Sequence, residues 1–442
     1  MSTRVAMISL GCPKNQVEAE RMLAMLADAG CELVGDTAEA QVAVINTCGF
    51  IDSAKQEAID HILEMAALKE EGLRGIVVTG CLAERYREQI REQIPEVDVV
   101  LGGGSVDDIV EAVESAARGE GFERYADIEK VELGGDRLLT TPFYTAYLKL
   151  GDGCDNFCTY CAIPLIRGRL RSRPIEELLQ EARALAEGGV RELVLVAQDT
   201  TRYGEDLYGE NRLVELLQEL ERVEGIAWIR ILYAYPDRVS DRLLDCMAAS
   251  KKVLPYIDLP LQHCDDRILT AMNRRGDRKE IEDVLRRVRE KLPNACVRTT
   301  FICGFPGESE EQFESLCDFV KEQRFDRMGC FAYSAEEGTP AAEFPDQIPE
   351  EEKQRRVDLL MLCQNLISTE INQTWVGRRL TVLVEEYEEE ADRFVGRSYR
   401  DAPEVDGRVY FESEAECEIG SFVEVMVTAA DDYDLYGTVC IE

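Results

Sequence analysis

Apolar runs of strand length alternate with helical stretches twice along this 442-residue chain, and that alternation confines it to parallel-sheet architectures. In the first series, strands are expected at residues 4–10, 41–46, 76–79 and 97–101. Helices are expected at 17–26, 53–68 and 84–94, with Ser53 as the N-cap of the second. In the second series, strands at 144–150, 192–197, 228–233, 256–261, 296–302 and 328–333 are separated by helical stretches such as 175–187, 213–223 and 281–292. Six such units fit a partial barrel, whose working end lies at the C-terminal ends of its strands. Residues 121–141, between the two series, are polar and weakly periodic and read as a linker. A helical stretch at 350–371 leads to short strands at 380–384, 393–395, 409–411, 422–427 and 436–441, the pattern of a small β-barrel. The expected class is α/β multidomain: a parallel sheet domain over 1–120, the linker, a partial (β/α)6 barrel over 142–370, and an all-β barrel over 371–442.

The chemistry-bearing residues fall at the ends of these strands. The chain has sixteen cysteines, scattered rather than framed in a small scaffold, which favours metal or catalytic use over disulfides. Its two histidines, His61 and His263, leave little for a histidine-built metal site. Cys12, Cys48 and Cys81 each follow one of the first three expected strands. Loops after parallel strands share one sheet edge, where such folds place ligands, so the three should converge and could hold a cluster. The competing reading is three small buried hydrophobes. Further on, Cys154, Cys158 and Cys161 have the spacing C-x3-C-x2-C. Three thiolates in eight residues can hold three irons of a cubane cluster and leave the fourth open. A structural zinc site would want a second cysteine pair or a Cys/His pair at finger spacing, and none follows.

The other barrel strands end in Gln198-Asp199, Tyr235-Pro236, Gln262-His263 and Gly304-Phe305-Pro306-Gly307-Glu308, all around one mouth. Asp199 also suits a helix cap, Pro306-Gly307 a simple turn, and His263 a satisfied loop position. Arg167, Arg169, Arg171 and Arg173 form a basic run that reads either as a solvated face or as an anchor for a carboxylate. The net charge of −37 should repel nucleic acid and attract basic partners, unless it is a general solubility adaptation. From residue 371 onward, eighteen acidic residues stand against six basic ones, so direct nucleic-acid binding by the tail is not expected. No apolar run suits a bilayer and the start lacks the core of a signal peptide, so a cytoplasmic protein without membrane association is expected.

The C-x3-C-x2-C loop resembles the signature of the radical S-adenosylmethionine (SAM) enzymes. With the Cys12/Cys48/Cys81 domain before it and a tail similar to the TRAM domain after it, essentially the whole chain resembles the methylthiotransferase family. The motifs Gly11-Cys12-Pro13-Lys14-Asn15 and Asn46-Thr47-Cys48-Gly49 are similar to its ribosomal-protein branch. That resemblance implies a SAM-cleaving [4Fe-4S] cluster on Cys154, Cys158 and Cys161, and an auxiliary [4Fe-4S] cluster on Cys12, Cys48 and Cys81. It places Tyr160 against the adenine of SAM, and Gln198, Asp199, Gly304 and Phe305 among its other contacts. It implies addition of a methylthio group to the β-carbon of an aspartate in basic small-subunit ribosomal protein twelve, free or in the ribosome. An electron donor and a sulfur donor would be needed. A radical suits the task, because a CH2 beside a carboxylate is too weak an acid for base chemistry. The two clusters would have to face each other, with the barrel mouth covered by the cysteine edge of the first domain. Alternatives are a tRNA adenosine methylthiotransferase and, more remotely, a non-catalytic iron–sulfur carrier.

Overall fold

The computed structural model describes residues 2–440. Six parallel strands form the first sheet: β1 (Arg4–Ser9), β2 (Glu32–Leu33), β3 (Val42–Thr47), β4 (Gly75–Gly80), β5 (Val99–Leu101) and β6 (Phe122–Arg124), in the order β2-β1-β3-β4-β5-β6. β3 and β4 are buried along their whole length because helices cover both faces, which is why they read as unbroken apolar runs rather than alternating ones. The edge strands β2 and β6 carry no such signal and were not expected. β6 lies inside the expected linker and pairs with β5, so the first domain extends past residue 120. The helix expected at 84–94 is two helices, Cys81–Tyr86 and Glu88–Gln93, broken at Arg87, whose φ of +38° is incompatible with a continuous helix. Ser53 is not an N-cap: the helix Asp52–Leu68 begins one residue earlier, with Ile51 at the cap and Asp52 in its first turn.

The second domain has six parallel strands in two half-sheets: β7 (Thr145–Lys149), β10 (Glu192–Val196) and β11 (Trp228–Ile231), then β12 (Tyr256–Gln262), β13 (Cys296–Cys303) and β14 (Arg327–Ala332). A bridge from Ile229 to Val253 links the halves, so the barrel is partial, as the pattern predicted. A two-strand ribbon, β8 (Gly151–Asp152) and β9 (Arg171–Ser172), carries the C-x3-C-x2-C loop out from the end of β7.

The helix Glu350–Gln373 leads to the tail, a closed barrel of β15 (Arg379–Glu388), β16 (Arg393–Ser398), β17 (Val409–Glu412), β18 (Phe422–Ala430) and β19 (Leu435–Val439). The last strand was expected to run to Ile441, which lies outside the described residues. The tail packs on the floor of the barrel, not its mouth. The first residues of β10, β12, β13 and β14 all reach it. Glu192 pairs with Arg397 at 2.6 Å, and Tyr256 Oη donates to Asp406 at 2.6 Å. Cys296 Sγ donates to the Arg400 carbonyl, and Arg327 pairs with Asp401 at 2.6 Å. Among the described residues, no helix is long and apolar enough to cross a membrane.

Candidate active site

The first three cysteines stand where the strand ends put them: Cys12 caps the helix Pro13–Asp28, Cys48 follows β3, and Cys81 opens the helix after β4. Asn15 ties their loops together. Its Nδ2 donates to the carbonyls of Leu10 and Thr47, each at 2.9 Å, and its own carbonyl accepts from Asn46 at 2.7 Å. Its Oδ1 faces Cys81 Sγ at 3.7 Å. Gly11 has φ +91°, and a Cβ there would sit 2.7 Å from Cys48 Cβ; only glycine lets these two loops meet. A Cβ on Gly49 would likewise stand 2.8 Å from the Leu82 nitrogen, beside Cys81.

The second triad hangs over the barrel mouth, strapped to its surroundings by backbone. Thr159 N donates to the Met272 carbonyl at 3.0 Å, Ala341 N donates to the Thr159 carbonyl at 2.9 Å, and Asn273 Nδ2 donates to the Phe157 carbonyl at 2.9 Å. Cys158 Sγ lies 3.7 Å from Tyr235 Oη, and the Arg274 guanidinium stacks on Tyr235 at 3.8 Å from the ring centre. Tyr160 packs at the rim of an apolar cluster formed by Ile268, Met272, Phe305 and Tyr333.

Between the triads lies a buried ionic network. Lys149 Nζ pairs with Glu18 at 2.6 Å and Asp152 at 2.7 Å; Arg167 pairs with the same two carboxylates. Arg167 Nη2 also reaches Asn15 Oδ1 at 2.6 Å and Cys81 Sγ at 3.2 Å. Arg167 ends the short helix that begins just after Cys161, so one side chain joins the edges that carry both triads. Burial alone would raise the carboxyls of Asp152 and Glu18; Lys149 and Arg167 hold both below the usual carboxylate range.

All six expected cysteines are free thiols, and Arg167 reaches from the loop of the second three to Cys81 of the first. Burial pushes the Cys81 thiol up to about 12 and the Cys154 thiol up to about 11, so in the absence of metal both are protonated. Among the described residues, no three Cys, His, Asp or Glu side chains converge on a point that would hold a single metal ion. Three thiols in each set match the one thiolate per iron that a cubane cluster takes, with its fourth iron left open, and the Arg167 cation beside Cys81 favours the thiolate form such a cluster requires.

The other expected residues have structural partners within the protein. Gln198 Nε2 donates to Asp152 Oδ1 at 2.7 Å. Asp199 caps the turn Thr200–Arg202 and accepts from Asn156 of the cysteine loop at 2.8 Å, while burial pushes its carboxyl up. Gly304 is approached by the Lys353 side chain, and Phe305 is buried against Tyr333 and Phe344. The arginine run does bind carboxylates, but the protein's own: Arg167 as above, and Arg173 with Glu181 at 2.7 Å. Sequence reasoning missed Glu18, Lys149, Asp152 and Arg274. No motif marks them, although Lys149 at the end of β7 and Asp152 in β8, just before the first cysteine of the loop, could have been suspected from their place. A groove of about 860 Å3 between residues 129–139 and the helix Ile175–Glu187 touches none of the cysteines.

Comparisons with known proteins agree with this layout. The uncharacterized protein family UPF0004 matches residues 4–102, the radical SAM superfamily 148–320, and the TRAM domain 376–440. The ribosomal protein uS12 methylthiotransferase RimO of Desulforamulus reducens is 48% identical over 439 residues, covering 98% of each chain. That of Clostridioides difficile is 46% identical, covering 99% of each chain. Among solved structures, the radical SAM methyltransferase TsrM of Kitasatospora setae aligns with a TM-score of 0.56 over 88% of this chain and 79% of its own; at 14% identity that is a likeness of fold alone. Whole-length identity of this order, spanning all three domains and both cysteine triads, places this chain in the RimO family of radical SAM methylthiotransferases.

Proposed function

We propose that this chain adds a methylthio group to the β-carbon of an aspartate in ribosomal protein uS12, using SAM and two [4Fe-4S] clusters. The observation that carries it is the junction itself: Arg167, on the helix after Cys161, lies 3.2 Å from the sulfur of Cys81. Arg167 thus links the loop of one set of three thiols to the other set across the seam between the domains, and each set leaves one cluster position without a cysteine. Cys154, Cys158 and Cys161 would hold one cluster and Cys12, Cys48 and Cys81 the other. Bound there, the clusters supply a one-electron reductant for SAM and a site for an added sulfur.

The chain's own residues prepare that space. Asn15 braces the three loops of the first triad, and Asn156 ties the second triad to Asp199 at the end of β10. Arg274 keeps a cation beside Cys158, where a carboxylate of SAM would be favoured. Tyr160 offers a ring next to the apolar cluster that includes Phe305, and Gly304 continues that wall. The network of Glu18, Lys149, Asp152 and Arg167 closes the seam between the domains against water. The substrate protein is basic and this chain carries −37, so encounter is steered by charge. An electron donor and a sulfur donor complete the reaction.

The test is an anaerobic assay of the reconstituted protein with SAM and reductant, offered a uS12 aspartate-loop peptide and, in parallel, a tRNA anticodon stem-loop. Mass spectrometry should find a gain of about 46 Da, the replacement of C–H by C–SCH3, on the peptide alone. Gain on the RNA alone would move the assignment to tRNA, and SAM cleavage without gain on either would refute the proposed substrate.

A further inference from the structure

Eleven lysine and arginine side chains are buried among the described residues, and ten of them form ion pairs with carboxylates. The exception is Lys14. It is 7% exposed, and among the described residues no Asp or Glu lies within ion-pair distance of its Nζ, although the charge of Asp152 is near enough to favour the ammonium form. Buried charges are ordinarily paired, so a largely buried lysine without a carboxylate partner marks a place where an anion can be received.

The position of Lys14 says which anion. It is two residues from Cys12, on the first turn of the helix Pro13–Asp28. Its Nζ stands 3.6 Å from the ring centre of Tyr233, at the end of the third barrel strand. Two residues further on, Tyr235 Oη lies 3.7 Å from Cys158 Sγ. Lys14 therefore stands between the triads, at the seam where the reacting carbon must sit if a group on one cluster is to meet a carbon activated at the other. The other cations nearby have partners of their own. Lys149 is held by Glu18 and Asp152, Arg167 by Glu18, Asp152 and Asn15, and Arg274 lies against Tyr235 and donates to the Pro260 carbonyl at 2.5 Å, on the side of Cys158.

Tyr233 itself is built for this place. Its φ of +60° is a strained conformation for an aromatic residue. The strain is locked in by Asp258, which accepts from its N at 2.9 Å, and by Thr200 N, which donates to its carbonyl at 3.0 Å. That backbone turns the Tyr233 side chain toward the ammonium, so that Lys14 meets a ring and hydroxyl instead of a carboxylate and keeps N–H groups for an incoming partner.

We propose that Lys14 binds the side-chain carboxylate of the target aspartate and so sets the preference of the site for an acidic over a neutral side chain. The inference rests on the reading of the substrate as an aspartyl residue. In this role Lys14 is a specificity residue: it fixes the carboxylate, and with it the adjacent CH2, between the two triads.

The test is direct binding, under anaerobic conditions, of fluorescent uS12 loop peptides carrying Asp or Asn at the target position to the reconstituted holoenzyme and to its Lys14→Gln variant. The wild-type enzyme should prefer the Asp peptide by about tenfold or more, as expected for a charge-assisted hydrogen bond. Lys14→Gln should lose that preference by weakening the Asp peptide while leaving the Asn peptide unchanged. A variant that weakens both peptides equally, or that still prefers Asp, overturns the proposal, because Lys14 would then serve only Cys12 or the fold. Iron content checks that the variant is loaded. If it is not, Lys14→Arg is scored instead and must retain the preference for Asp; loss of the preference overturns the proposal. Failure of the wild-type enzyme to bind or modify either peptide points to the substrate reading itself, which separates the two failures.

Discussion

Glu192 offers the sharpest test of how the tail is held. It is the first residue of β10, fully buried, and pairs with Arg397 of the tail at 2.6 Å and with Arg230 of β11 at 2.8 Å. Burial would raise its carboxyl, but Arg397 and Arg230, with their hydrogen bonds, hold it down at about 2 against an ordinary 4.5. At about 1.4 kcal/mol per pH unit, that difference is worth roughly 3 kcal/mol of stability to the ionised form. An independent route gives the same size: removing one partner of a buried ion pair costs about 3–5 kcal/mol. Glu192→Gln keeps the shape and removes the charge, stranding the Arg230 guanidinium against backbone carbonyls. Urea unfolding at pH 7, followed by a probe in the tail, should show the variant less stable by about 3 kcal/mol. The sign with pH is fixed by the depressed value. The advantage of the wild-type protein is complete above the ordinary pKa and is lost as pH falls toward about 2. The gap should therefore be constant from pH 8 to pH 5 and shrink below that. A gap under about 1 kcal/mol at pH 7, the size of an exposed pair, would refute the reasoning, as would a gap that widens on acidification.

Two further outcomes follow from the same geometry. Asn15→Leu removes the side chain that ties Leu10, Thr47 and Cys81 together, and should cost the reconstituted protein about half its iron while leaving SAM binding at the second triad; iron and sulfide analysis decides this. His263 is fully buried, with Nδ1 accepting from Asp265 N at 3.0 Å, and burial lowers it to about 4. With only two histidines in the chain, one imidazole NMR signal should stay fixed from pH 8 to pH 5 and move only near pH 4, and the stability contributed by neutral His263 should be lost as pH falls from about 6.5 through that value. A His263 signal titrating near 6.5 would contradict its burial.

Much of this molecule was legible in its sequence. The buried strands β3, β4 and β10 announce themselves because a parallel strand covered on both faces is mostly apolar. Cys12, Cys48 and Cys81 could be singled out together because loops that follow parallel strands share an edge, and Cys154, Cys158 and Cys161 because they crowd one short loop. The edge strands β2 and β6 were not, since pairing on one side only leaves no compositional mark. The break at Arg87 turns on one backbone angle stabilised by Glu84, and no propensity scale records that.

Strand periodicity and C-x3-C-x2-C spacing are local properties of the chain, so the elements and the thiols can be read from residue order. What surrounds those thiols depends on how the domains meet. Lys149, Asp152, Glu18 and Arg167 come from two domains and find one another across the seam. Lys14 finds the ring of Tyr233, some 220 residues away in the chain, beside its ammonium in place of an ion-paired carboxylate. The tail's position on the barrel floor likewise follows from Glu192, Tyr256, Cys296 and Arg327, polar or thiol side chains at strand starts that gain their meaning from the surface they bury against. Charge pairing in a low-dielectric interior depends on distance and burial, and neither exists until the domains have closed.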